Sequence, residues 1–283
     1  MRPRFAIVLS LALLAAGCGK GESTKNPGNP PAPPPAVPGV PKVPAASPLD
    51  ILASANGSVE CTAPADGPVV VQVDIFLKRS AGDSLTLTNP SGPWSEAFTL
   101  ECRGPGDADK ASLFSAASTT KGSIELTRAR SGTLAWILDG AGASVLPAGT
   151  WTLRVVVDAK KLGNAVPDGL ASSPVTLTVV APAAASTPVA AQRRCLAVMN
   201  AAGWKKDTAR ALAAADAYLA KEPEDVAVLF LKGQVLRSTG KKVEALAAFE
   251  AALGAANRNK NPLAENFAIE RAVADLRREV DGK

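Results

Sequence analysis

Cysteine and carboxylate side chains are the residues of this sequence whose types suit chemistry, because histidine is absent from all 283 positions. Histidine is the commonest general base and the commonest metal ligand in proteins. The composition therefore excludes Ser-His-Asp and Cys-His catalysis and histidine-based zinc sites. Asp107 and Asp109 have the alternate spacing of calcium loops. They lack the loop glycine and the distal glutamate of such loops, which favours a solvated turn.

Other catalytic patterns are missing from the sequence as well. It contains no nucleophile elbow and no glycine-rich phosphate loop. Glu222, Glu224 and Asp225 stand where a helix is predicted to begin, a place where the helix dipole favours negative charge. They are therefore not interpreted as an acid–base pair. We expect a protein that is not an enzyme and that binds no cofactor and no metal.

The N-terminal segment has the layout of an export signal. Arg2 and Arg4 precede an apolar run over residues 5–16, which is shorter than the roughly 20 residues that span a bilayer. The small residues before Cys18, within the sequence LAAGC at residues 14–18, resemble the cleavage site of bacterial lipoproteins. The resemblance implies removal of residues 1–17 and acylation of Cys18, which would make the lipid bilayer a partner. An ordinary cleaved signal with an incidental cysteine is the alternative.

The destination that this resemblance implies is the bacterial cell envelope. Gly19 follows the cysteine, in place of the aspartate that retains some lipoproteins in the inner membrane. The outer membrane is therefore mildly favoured.

Residues 18–56 are predicted to form a tether between the lipid and the folded part of the chain. Ten prolines lie between Pro27 and Pro48, without apolar periodicity. Such a segment cannot bury enough apolar surface to offset its ordering entropy. Residues 33–35 could also be a ligand for a proline-reading domain, but a spacer is the favoured interpretation.

Residues 57–181 are predicted to form a β-sandwich of short strands. Trp151, Leu153 and Val155 alternate with Thr152 and Arg154, the period of two expected of a half-buried strand. The predicted strands are residues 69–77, 84–88, 97–102, 123–127, 133–138, 150–157 and 174–180. Regular spacing of such strands between turn residues is typical of a sandwich. The sequences LPAGTWTL at residues 146–153 and VTLTV at residues 175–179 resemble the last two strands of immunoglobulin-like and fibronectin type III-like domains.

Three cysteines remain if Cys18 carries lipid. Cys61 and Cys102 belong to the same strand-rich block, and we expect them to form a disulfide if their side chains approach. Cys195 lies in an alanine-rich helical stretch, where it is expected to pack as a small apolar residue.

Residues 182–188 form a second, short linker, and residues 189–283 are predicted to be helical. The expected helices are residues 189–202, 207–221, 225–239, 242–256 and 263–281. Ala211, Leu212 and Leu219 recur 34 residues later as Ala245, Leu246 and Leu253. This period, with Gly233, Gly240, Ala245, Phe249 and Ala252 in the second copy, resembles the tetratricopeptide (TPR) family. Gly233 and Ala245 would let two antiparallel helices approach, Phe249 would fill the space between them, and the last helix would seal the array.

The TPR resemblance implies a binding face. Phe230, Gln234 and Arg237 occupy the positions that line the groove in this family and would suit a peptide or a partner helix. The alternative is that the C-terminal helix occupies this face. A rival site is a carbohydrate-stacking surface that includes Trp94 and Trp136, although such tryptophans more often belong to the partly buried core.

The sequence as a whole favours a binding protein. Its formal net charge of +5 is not concentrated in one segment, so a nucleic-acid partner is not expected. We expect an envelope lipoprotein that acts as a non-catalytic adaptor or scaffold for another envelope protein or peptide. The alternative is a surface glycan- or ligand-binding lipoprotein that uses its β-sandwich.

Overall fold

The computed structural model describes residues 47–117, 121–139, 146–163, 165–181, 187–258 and 264–280. Within these residues a strand-rich part, residues 49–180, precedes five α-helices. This confirms the predicted order of a β part followed by an α part. None of the described helices is both long and apolar enough to cross a membrane. Cys18 and most of the predicted tether lie outside the described residues.

The β part contains ten strands among the described residues. They are β1 (Leu49–Ala55), β2 (Glu60–Pro64), β3 (Val69–Leu77), β4 (Ser84–Thr88), β5 (Phe98–Arg103), β6 (Ser115–Ala117), β7 (Ser123–Thr127), β8 (Gly132–Leu138), β9 (Gly149–Val157) and β10 (Val175–Val180). The seven predicted strands match β3, β4, β5, β7, β8, β9 and β10 to within a residue at each end. The strands β1, β2 and β6 were not predicted.

Two four-stranded sheets enclose the main core. One has the order β1-β3-β8-β6 and the other the order β2-β10-β9-β5, while β4 and β7 form a separate ribbon. Neighbouring strands are antiparallel except for β10 and β2, which are parallel. Buried residues from both sheets and from the ribbon belong to one apolar cluster. In β9, Trp151, Leu153 and Val155 are buried while Thr152 and Arg154 are exposed, as their alternation predicted.

The β domain begins earlier than the predicted boundary at residue 57, because β1 starts at Leu49. This strand lies inside the range assigned to the tether and pairs with β3 along its whole length, from Leu49 opposite Leu77 to Ala55 opposite Val71. Its residues alternate between the core and the solvent. Two of its four core positions are alanines, Ala53 and Ala55, so its apolar pattern is weak beside the proline-rich segment that precedes it.

The helices are α1 (Pro188–Trp204), α2 (Thr208–Leu219), α3 (Val226–Ser238), α4 (Lys242–Arg258) and α5 (Ala264–Val280). Each begins and ends within two residues of its predicted bounds. Thr187, Asp207 and Asp225 cap α1, α2 and α3, because each side chain accepts a hydrogen bond from a backbone N–H of the first turn. One buried cluster joins α1, α2 and α3, and another joins α3, α4 and α5.

The chain enters and leaves the β domain at opposite ends. Leu49, where β1 begins, lies opposite Leu77, and we call this the tether end. Val180, where β10 finishes, lies opposite Pro64 at the other end, from which the chain continues to α1. We call this the helix end. A strand of seven residues separates the two ends by about 23 Å at 3.3 Å per residue.

The helical domain packs against the β domain at the helix end. Ala201 of α1 shares a buried cluster with Val70, Ala135 and Ile137 on the outer face of the first sheet, and Trp204 packs against it. Helix α1 thus covers part of the outer face of this sheet. Removal of apolar area from water makes this contact favourable.

Ionic contacts border this interface. Asp139, just after β8, pairs with Lys205 Nζ and, at 3.3 Å from its Oδ1, with Arg210 Nη1. Asp66 Oδ2, in the turn between β2 and β3, lies 2.8 Å from Arg194 Nη2 of α1. Hydrogen bonding from Lys205, together with the charges of Lys205 and Arg210, lowers the pKa of Asp139. The two domains are therefore joined by both apolar and ionic contacts.

Candidate binding face on the helical domain

The packing of α3 against α4 depends on a small residue opposite an aromatic one. Gly233 lies against the ring of Phe249, which is buried. Ala245, at the start of α4, is also fully buried. The close approach of these two helices and the filling role of Phe249 confirm the expectation derived from the sequence.

Helix α3 has three stripes of side chains with different surroundings. Val228, Leu231 and Val235 belong to the cluster shared with α1 and α2. Leu229 and Leu236 belong to the cluster shared with α4 and α5. The third stripe, which we call the α3 face, follows the spacing of one helical side and consists of Ala227, Phe230, Gln234 and Arg237.

The three predicted site residues therefore lie along one side of α3. Phe230 is half-buried, and its ring centroid is 5.4 Å from that of Phe249, at an interplanar angle of 48°. Ala227, one turn earlier, is exposed. An aromatic side chain that is part core and part surface offers apolar area to a partner while it remains fixed by its neighbour.

The side-chain oxygen of Gln234 is a hydrogen-bond acceptor that no donor among the described residues satisfies. Its Oε1 is enclosed and has no hydrogen-bond partner in the described part of the chain. Such a group costs free energy because it has lost its bond to water.

Arg237 is engaged by the C-terminal helix. Its Nη2 lies 2.7 Å from Glu279 Oε1 of α5, and Lys242 Nζ lies 3.2 Å from Glu279 Oε2. Hydrogen bonds from these two cations lower the pKa of Glu279. The apolar residues of α5 pack into the cluster with α3 and α4. Helix α5 therefore borders the α3 face at Arg237, whereas Ala227 and Phe230 keep solvent-accessible surface.

Asp225 is a structural residue of this region that the sequence suggested only in part. Its Oδ1 accepts a hydrogen bond from Val228 N at 3.0 Å, and its Oδ2 accepts bonds from Gln192 Nε2 at 2.7 Å and Tyr218 Oη at 3.0 Å. Burial and the bond to Asp225 raise the pKa of Tyr218. The cap was predictable from an aspartate at a helix start, but the link among α1, α2 and α3 required the fold.

The predicted disulfide is absent, because Cys61, Cys102 and Cys195 are all free thiols. Cys61 lies on β2 and Cys102 on β5, the two outer strands of one four-stranded sheet. Three strand spacings separate them, about 14 Å, whereas bridged cysteines need Cα atoms within about 7 Å.

Burial raises the pKa of all three thiols. It raises that of Cys102 to about 12, with a further contribution from the charge of Asp109. It raises that of Cys195 to about 11, with a further contribution from Asp225, and it raises that of Cys61 as well. Because the thiolate is the nucleophile, these cysteines are poorly reactive in the folded chain.

Trp94 and Trp136 lie in the core, as the favoured interpretation of the sequence expected, and the rival stacking surface is wrong. Trp94 is 2% exposed and Trp136 is 8% exposed, and both belong to the core of the β domain. Neither can stack broadly on a polysaccharide, so the core interpretation of these residues is the right one.

Among the described residues, no group of three or more Cys, Asp or Glu side chains is placed so that it could hold a metal ion. Asp109 Oδ1 accepts a hydrogen bond from Ala111 N at 2.9 Å, which is a local turn contact. Comparison of the chain with models of known protein families and with curated proteins gives no match.

Proposed function

We propose that this chain is a membrane-anchored lipoprotein of the bacterial envelope whose helical domain acts as a non-catalytic adaptor for another envelope protein. The observation that carries the adaptor role is the α3 face, where half-buried Phe230 stands beside exposed Ala227 and the unsatisfied acceptor of Gln234. Interfaces use fixed, partly exposed aromatic side chains as anchors. The lipid on Cys18 would fix the location of the adaptor, and residues 19–46 would give it reach.

The polarity of the β domain supports this arrangement. The chain that leads from Cys18 joins the domain at the tether end, and the helical domain packs at the helix end. The chain that comes from Cys18 would therefore enter the β domain at the end opposite the one where the helical domain packs. The ionic contacts of Asp139 and Asp66 would hold the helical domain in one orientation.

We further propose that the β domain is an immunoglobulin-like sandwich and the helical domain a short TPR-like array. The strand orders β1-β3-β8-β6 and β2-β10-β9-β5, with β2 parallel to the last strand, support the first assignment. The contact between Gly233 and Phe249 and the near match of the helix bounds to the 34-residue period support the second. In this view the β domain covers α1, where a preceding repeat would pack, and α5 covers the other end.

Lipidation is tested by the intact mass and membrane partition of the protein made in a bacterial host, beside a Cys18→Ser variant. The proposal expects acyl chains on the wild type and recovery with membranes, both lost in the variant. An unmodified, soluble wild type would refute the anchor.

The adaptor role is tested by site-specific photo-crosslinking in the same host. A photoreactive residue replaces Ala227 on the α3 face or, as a matched control, Ala213, which is exposed on α2. We expect one crosslinked species from position 227 and none from position 213. The crosslink from position 227 should disappear when Phe230→Ala is added, provided that this variant is shown to remain folded. Equal crosslinking from both positions would contradict the assignment of the α3 face.

A further inference from the structure

The β domain contains an open cleft of about 370 Å³ at the edge of its core, outside the helical domain. Three large apolar residues, Phe98, Leu134 and Trp136, are among those that line it. The volume lies at the lower end of the roughly 300–1,000 Å³ that small-ligand sites occupy. A ligand of this site must therefore be small and must carry an apolar group.

The cleft lies at the β6 edge of the first sheet, where Ala116 and Ala117 line it. β6 spans Ser115–Ala117 and pairs with the neighbouring β8. Ala116 pairs with Trp136, whose side chain lies in the core, so Ala116 also points inward, yet it is exposed. An inward residue that is exposed marks an opening into the space between the sheets.

Two opposite charges stand at the mouth. Glu96 and Lys161 both line the cleft and are both exposed. The Lys161 ammonium is placed by a hydrogen bond to the backbone oxygen of Glu96 at 3.2 Å. Neither side chain forms an ion pair within the described residues. Residues of opposite charge thus line the mouth, with the Lys161 ammonium held at the backbone of Glu96.

We propose that this cleft binds an apolar α-amino acid as the free zwitterion. The apolar side chain enters between Phe98, Leu134 and Trp136, the ammonium group binds the Glu96 carboxylate, and the carboxylate binds Lys161. The inference is independent of the adaptor role, because it concerns different residues on a different domain.

The proposal is tested by isothermal titration calorimetry of the full chain with L-leucine, N-acetyl-L-leucine and L-leucinamide. The acetyl compound lacks the ammonium group and the amide lacks the carboxylate. We expect leucine to bind and each analogue to bind about fivefold more weakly, the loss expected for one ion pair at an exposed rim. No heat with leucine at millimolar concentration, or equal affinity for all three compounds, would overturn the proposal.

Variants locate the site. Ala116→Leu fills the cleft from an exposed position and should abolish binding without loss of the fold. Lys161→Gln and Glu96→Gln should each weaken leucine binding about fivefold. Lys160→Gln, which changes the neighbouring exposed lysine outside the cleft, is the control and should bind as the wild type does. Unchanged binding by Ala116→Leu would place the ligand elsewhere and refute the assignment.

Discussion

A Cβ atom added to Gly233 would lie 2.6 Å from ring carbons Cδ1 and Cε1 of Phe249. Real Cβ atoms do not approach other atoms so closely, and the ring is only 1% exposed, so it has no room to move away. The approach of α3 and α4 therefore requires glycine at this position.

Gly233→Ala should lower the free energy of unfolding by up to about 2 kcal/mol. Overpacking costs about 1–3 kcal/mol, and the better helix propensity of alanine returns only about 1 kcal/mol. Chemical denaturation followed by circular dichroism measures the change. Gly254→Ala in α4 is the matched control, since its new Cβ would meet only the flexible end of Arg258 at 3.4 Å. That variant should be stabilised by about 0.5–1 kcal/mol, and equal effects of the two substitutions would contradict the close-packing argument.

Asp139→Asn should weaken the contact between the two domains. The aspartate is about one-third exposed and pairs with Lys205 and Arg210, so the expected loss of unfolding free energy is up to about 1 kcal/mol at neutral pH and low salt. The loss should shrink as ionic strength rises, because salt screens exposed charges. Asp168→Asn, at an exposed position away from the helical domain, is the control and should change little.

The pH dependence of the same variant has a defined sign. Because the pKa of Asp139 is lowered in the folded state, its stabilising effect is present above the unfolded pKa of about 3.9 and disappears as the pH falls through the lower, folded value. The melting temperatures of wild type and Asp139→Asn should therefore differ at neutral pH and converge below about pH 4. A difference that grew on acidification would contradict the ionic contact.

Asp225→Ala should cost about 2–3 kcal/mol of unfolding free energy, because it removes a helix cap and two side-chain hydrogen bonds. Tyr218→Phe removes only one of these bonds and should cost about 1 kcal/mol. The double variant tests the link directly. If Tyr218→Phe costs as much in the Asp225→Ala background as in the wild type, the two side chains do not interact.

Alkylation of the native protein should be slow at Cys61, Cys102 and Cys195, since the pKa of each thiol is raised by burial. All three should react promptly in guanidinium without any reductant, because none is bridged. Mass spectrometry of the alkylated chain makes the measurement. If Cys61 and Cys102 reacted only after reduction, they would be bridged, and the separation derived from the strand order would be contradicted.

Prediction from the sequence succeeded where the signal is local. Helix bounds follow from apolar spacing and from capping residues such as Asp207 and Asp225, which act within one turn. Seven strands followed from alternation and turn residues. β1 was not predicted, because Ala53 and Ala55 give its alternation a weak apolar pattern. Its conformation depends more on pairing with β3 than on its own sequence.

Prediction failed where strand order decides the answer. Cys61 and Cys102 belong to one sheet, as the strand-rich block suggested, but β10 and β9 lie between them. The sequence pattern within a single strand does not determine which strands become its neighbours in the sheet.

The sequence by itself determined the absence of histidine chemistry, the order of a β part and an α part, and the stripe on α3 that carries Phe230, Gln234 and Arg237. These are properties of composition and of periods within one element, which neighbouring residues fix. Only the tertiary structure decided that Glu279 engages Arg237, that Asp139 joins the domains through Lys205, and that the sheet edge leaves a cleft beside Trp136. These contacts join residues far apart in the chain, and their formation depends on the packing of whole elements rather than on any short stretch of sequence.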